Sequence, residues 1–202
     1  KTWSLGSMTN TGNINVSAGT LNLDSTSGTG SWTNTAVVGK GIAVSGTGVL
    51  NLGDNFTTAG IGRITRSGGS VDITGTLNNT GQTLDVGSAG PFGAGGLTSL
   101  TGTIANGTLI STDATPVLNS PSGTLDGITI GSNLGFTGST TYIYNNLLLA
   151  NGVTVDKGSN SWYFRSGGTQ NLATVSGAAT INNAGGGMYA GWGVAGQTLQ
   201  VG

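Results

Sequence analysis

The sequence predicts an all-β chain, a parallel β-helix (β-solenoid) of about nine coils, each of roughly 20–25 residues. Three observations carry this. A short apolar–polar–apolar triplet recurs along the whole chain. Several triplets are separated by a constant 21 positions, or by 25. The composition is Gly-rich, 40 of 202 residues, with only 6% charged residues, no Glu, and 35% apolar residues gathered in small regular clusters. Gly, Asn and Thr are poor helix formers, and no amphipathic helix pattern is present.

The triplets begin with Ile14-Asn15-Val16, Leu21-Asn22-Leu23, Ile42-Ala43-Val44 and Leu50-Asn51-Leu52. Val71-Asp72-Ile73, Leu84-Asp85-Val86, Ile128-Thr129-Ile130, Val153-Thr154-Val155 and Leu199-Gln200-Val201 follow. Side chains alternate faces along a strand, so each triplet buries two aliphatics and turns its middle residue outward. Asn22 to Ala43 and Asn51 to Asp72 are both 21 positions, and Thr129 to Thr154 is 25. A coil of three short strands and their corners needs about that many residues, and stacked coils share one aliphatic core. Asn15, Asn22 and Asn51 hold the same triplet position, which predicts amide ladders between stacked strands.

The heptamer Gly81–Gly87 returns, nearly unchanged, as Gly196–Gly202, 115 residues later, which suggests a higher-order unit of about five coils. No linker interrupts 1–202, which reads as a single solenoid segment of a longer repeat array. The stretch Ser88 to Gly96 is the least regular and is expected to be a loop or a bulged coil. The alternative architecture is an antiparallel β-sandwich, in which Asn106-Gly107, Asp126-Gly127 and Asn151-Gly152 would be hairpin turns.

Composition excludes several functions. The net charge of -1 provides no basic stripe for nucleic acid. Without His or Cys there is no Ser-His-Asp triad, no Cys-His pair and no His- or Cys-based zinc site. No apolar run is long enough for a transmembrane segment. All seven acidic residues are Asp, scattered at about one per coil, which does not build a calcium cage, and the calcium repeat G-G-x-G-x-D is missing. No cofactor and no metal ligands are assigned. Gly191–Gly196 matches G-x-G-x-x-G, but a strand triplet rather than a helix follows it, so the dinucleotide reading fails.

Two groups of side chains remain as candidates. Asp72, Asp85, Arg63 and Arg66 lie close in sequence and make a possible carboxylate and guanidinium cluster; the bland alternative is solvated strand and turn residues. The late aromatics Tyr142, Tyr144, Trp162, Tyr163, Phe164, Tyr189 and Trp192 form the second group. Tyr142 and Tyr144 should share one face, and Trp162 and Phe164 another, with Tyr163 opposite. Tyr142, Tyr144, Trp162 and Phe164 are the candidate carbohydrate contacts, against core or corner packing as the plainer reading.

The stretches Phe56–Gly62, Ser67–Gly81 and Gly123–Ile130 resemble repeats of giant bacterial extracellular β-helix proteins, the autotransporter-like and filamentous-haemagglutinin-like adhesins. The resemblance implies a structural or adhesive stalk or fibre at the cell surface. Its partners would be neighbouring repeats or further copies joined end to end, and possible surface glycans. It implies no catalytic residues, and the chain is expected not to be an enzyme. The rival readings are a polysaccharide-processing β-helix enzyme centred on Asp72, Asp85 and Arg66, and a carbohydrate-binding module.

Overall fold

The computed structural model describes residues 1–25, 30–191, 193 and 195–202. The chain winds into a stack of short strands in which every strand pairing among these residues is parallel. One 3₁₀ turn, Ala59–Ile61, is the helical content. Parallel pairing rules out the antiparallel sandwich, because a hairpin joins antiparallel neighbours. Asn106 and Gly107 are indeed left-handed, at φ 65° and 75°, but they turn the chain from one face of the solenoid to the next.

Three faces result. The first carries Thr2–Ser4, Thr20–Leu23, Val49–Leu52, Ser70–Ile73 and Ser99–Leu100 in one sheet, then Val117–Asn119, Leu134–Thr137, Thr154–Asp156 and Thr180–Asn182 in another. The second runs from Met8–Asn10 through Trp32–Asn34, Asn55–Thr57, Thr76–Asn78, Thr103–Ala105, Gly123–Ile130, Thr140–Leu149 and Ser161–Phe164 to Met188–Ala190. The third has Asn13–Val16, Gly41–Val44 and Ile64–Arg66, and then, in a separate run, Thr83–Asp85, Thr108–Ile110, the later halves of Gly123–Ile130 and Thr140–Leu149, Thr169–Thr174 and Thr198–Val201. The second face is nine strands deep, so about eight turns separate its ends. At about 4.8 Å per turn the stack is a rod of about 38 Å.

The aliphatic triplets do what alternation requires. Leu50 and Val71 stack in one column of the core and Leu23, Leu52, Ile73 and Leu100 in the next, all with little or no exposure, while Asn22, Asn51 and Asp72 turn outward. The exceptions are in the end coils: Val201 is 71% exposed, because no further strand lies over it here.

Coil length is less uniform than the spacing predicts. Trp3 pairs with Leu21, 18 residues on, and Leu21 with Leu50, 29 residues on. The Asn51–Asp72 spacing of 21 is a true coil. The other two spacings are not. Ala43 stands over Asn15 and Thr129 pairs with Leu148, so Asn22–Ala43 and Thr129–Thr154 join different faces. The two heptamer copies do lie on the same face five coils apart. Their register differs, since the column through Leu84 passes to Thr174 whereas Leu199 pairs with Gln170.

The corners are held by buried polar side chains. Asn79 is fully buried; its Nδ2 donates to the carbonyls of Gln82, Asn106 and Thr108 at 3.2–3.3 Å, and its Oδ1 accepts from Thr58 at 2.6 Å. Asn34 does the same for Ile61 and Arg63. Asn160 donates to Ser120 and Thr137 carbonyls and meets the Thr141 hydroxyl. Lys157 is wholly buried too, its ammonium donating to the carbonyls of Asn160 and Gly185, and burial lowers its pKa. At another corner Gly53, Gly75 and Gly102 sit one above the other. A Cβ on Gly75 would lie 2.2 Å from Asp54 O, and one on Gly102 2.1 Å from Gly75 O. Backbone thus packs on backbone, which only glycine permits.

Replacing Asn79 by Ala removes a fully buried amide that ties together the Gln82, Asn106 and Thr108 carbonyls and the Thr58 hydroxyl, and breaking such a buried hydrogen-bond set costs about 1–3 kcal/mol. Asn79→Ala is expected to lose at least that much in urea unfolding, whereas Asn78→Ala, on the exposed side of the neighbouring position, is expected to change stability by less than about 0.5 kcal/mol. Equal losses would show that the corner asparagines carry no special load.

Candidate functional site

The candidate carbohydrate contacts separate onto opposite sides of the same wall. Trp162 and Phe164 point inward and are fully buried, with Trp162 edge-on to Phe136 at 5.2 Å. A ring with no exposed surface cannot stack on a sugar, so neither is a surface contact. Tyr142 and Tyr144 are half-buried on the outer side. Strand register places Tyr163 over Tyr142 and Tyr189 over Tyr163. Tyr163 and Tyr189 stack with centroids 4.7 Å apart, Tyr142 lies tilted by 44° to Tyr163 at 5.8 Å, and the Arg165 guanidinium lies 4.9 Å from the Tyr142 ring. The rings spend much of their surface on one another and on the Arg165 guanidinium. This column is a cross-strand packing device, worth about 0.5–1.5 kcal/mol per pair beyond area burial. Trp192 lies outside the described residues, and with it part of the G-x-G-x-x-G match.

The amide ladder forms on the first face, where Asn51 Nδ2 donates to Asn22 Oδ1 at 2.8 Å and Asn22 reaches Ser4 at 3.3 Å. Asn15 belongs to the third face and stands outside it. Asp72 is the next rung above Asn51. Burial raises its pKa, opposed by the hydrogen bond from Ser70 and by the charge of Arg66.

The acidic residues do not converge. Asp85 accepts from Gly87 N and the Thr112 hydroxyl, each at 2.7 Å, on the third face. Asp113 accepts from the Ser88 amide and hydroxyl, which hold its carboxyl below the usual range. Among the described residues no three His, Cys, Asp or Glu side chains come together. Arg63 lies apart from this group, beside Lys40 and Gly41 on the third face.

Arg66 has the most developed surroundings. Its Nε and Nη2 donate to Gly69 O at 3.1 and 2.6 Å, and its Nη1 donates to Gly96 O at 2.7 Å. The stretch from Ser88 to Gly96 is a loop wrapped over this guanidinium, with Gly93 and Gly95 against its side chain and Phe92 plugged into the core at full burial. The loop occupies the place where the third-face strand following Ile64–Arg66 would lie, and the ladder of that face is broken there. The first face is broken two coils further along, between Ser99–Leu100 and Val117–Asn119, bridged by Asn119 Nδ2 to Thr98 O at 3.2 Å. A groove of about 330 Å³ opens between these two breaks, lined by Arg66, Leu97, Thr98, Asp113, Thr115 and Asn119 among others. Sequence reasoning singled out Arg66 but not Thr98, Asp113 or Asn119, which come from separate segments.

No family model, no curated protein and no solved structure matches this chain.

Because Asp72 binds its proton more tightly when folded, its contribution to stability is fullest in acid and is lost as pH rises through the raised pKa. Asp72→Asn removes this loss and offers an amide to Asn51, extending the ladder by one hydrogen bond, worth about 0.5–1.5 kcal/mol. The variant is expected to be more stable than the parent at pH 7, and the gain is expected to shrink as the pH falls below the ordinary carboxylate range. A loss of stability at pH 7, measured by denaturant unfolding, would mean that the attraction to Arg66 outweighs desolvation.

Proposed function

We propose that the chain is a non-catalytic structural rod, a segment of an extracellular stalk or fibre of a bacterial surface protein of the adhesin kind that its repeats resemble. The observation that carries this reading is the continuous coil-on-coil parallel pairing of the second face from Asn55–Thr57 to Met188–Ala190, with the Ser31–Asn55 bridge joining it to the two strands before. A stack held this way is stiff along its axis and extends by adding coils, which is what a spacer between an anchor and a tip needs. The outward positions support it, being mainly Thr, Ser, Asn and Gly, with 6% charged residues in the whole chain. Such a surface is hydrated and offers little charge for nonspecific attachment. No helix is long and apolar enough to cross a membrane, so in this reading any attachment to the cell is made by other means.

Against the polysaccharide-processing alternative stands the separate engagement of Asp72 and Asp85 on different faces, since glycoside hydrolysis needs two carboxyls flanking one bond.

Two measurements test the proposal. Antibodies raised against the purified chain are expected to label intact bacteria that produce it; labelling only after permeabilisation would overturn the surface reading. Incubation with pectin, alginate and neutral glucans is expected to release no reducing or unsaturated ends, and an activity abolished by Asp72→Ala would overturn the non-catalytic one.

A further inference from the structure

The groove between the two sheet breaks is more than a packing irregularity, because its polar groups are fixed before any ligand arrives. Arg66 is locked by three hydrogen bonds to the Gly69 and Gly96 carbonyls, leaving two of its five N–H donors. Asp113 is held by the amide and hydroxyl of Ser88, and its remaining lone pairs are acceptors. Asn119 spends an N–H on Thr98 O and keeps Oδ1. The Thr98 hydroxyl accepts from Val71 N at 3.1 Å, which leaves its proton to give. Thr115 adds an exposed hydroxyl, and Val117, 39% exposed, supplies an apolar patch beside them.

We propose that this groove binds a neutral saccharide, one or two sugar rings long. The wall offers donors and acceptors at once, which suits hydroxyl groups, since each hydroxyl both gives and accepts. The charge of Arg66 is offset by Asp72 beside it and by Asp113 across the wall, so the groove presents no net positive field to hold an anion. The volume of about 330 Å³ lies at the lower end of the range for small-molecule sites. The apolar Val117 faces the C–H side of a ring. The site stands independently of the stalk reading, because a rod without a ligand and a ligand-binding domain that is not a rod are both possible results.

The test is a titration of the full ¹⁵N-labelled chain with maltose, cellobiose and lactose in one arm and glucuronic and galacturonic acid in the other. At least one neutral disaccharide is expected to give saturable shifts centred on Gly95, Thr98, Asp113, Thr115 and Asn119. Concentrations up to roughly 50 mM suffice, since a millimolar site is filled well below that. Thr115→Trp, which fills the groove from an exposed position, is expected to weaken binding at least tenfold with the rest of the spectrum unchanged. Asn119→Ala is expected to weaken it several-fold. No saturable shifts with any neutral sugar, shifts centred elsewhere, retention of affinity in Thr115→Trp, or stronger binding of the uronic acids would each overturn the proposal.

Discussion

Each strand in this chain is only two to four residues long over most of its length, and none can satisfy its own backbone. Its N–H and C=O groups find partners only in the coil before and the coil after. That in-register parallel pairing is the constraint on which everything else rests. It forces like positions into columns, so that aliphatics meet aliphatics inside and asparagines meet asparagines outside. It also forces the corners to repeat at the same height in successive turns, where glycine stacks on glycine and buried asparagines collect the carbonyls that turn away from the ladders. A polar group buried at such a corner is tolerable only because it is saturated with hydrogen bonds, as Asn79 is.

The same constraint explains where the molecule becomes interesting. Two ladders are interrupted within two coils of each other, and the loop between them is tied down by the Arg66 guanidinium at Gly96. Regular solenoid walls are flat, with their hydrogen-bonding groups consumed by the neighbours. A concave polar surface arises only where the regular stacking is given up, and the groove lined by Arg66, Asp113 and Asn119 is such a place.

The legible and illegible parts of the sequence follow from this. Alternation is local, so triplets such as Leu50-Asn51-Leu52 announce a strand and its two sides. Leu21-Asn22-Leu23 and Ile42-Ala43-Val44 announce themselves as clearly, yet their 21-residue separation misleads, since one lies on the first face and the other on the third. Alternation also states that Trp162 and Phe164 share a side without saying which side; that depends on the columns of Thr141 and Ile143 that they join. Asn79, Asn160 and Lys157 look like ordinary turn residues in the sequence, and only stacking buries them. The groove was half hidden for the same reason, because its lining comes from three stretches brought together by a fault that no periodic pattern encodes.

Unequal coils carry a mechanical consequence. Turns of 18 to 29 residues share one rise along the axis, so each stores a different amount of slack in its corners and loops. If the rod were pulled from one end, a released turn would pay out about 60 to 100 Å of chain, depending on which turn it was. Longer turns would absorb more extension before load passed to the next ladder. The sequence of coil lengths therefore sets an order of lengthening steps written along the rod, a damping profile that a perfectly regular solenoid would lack.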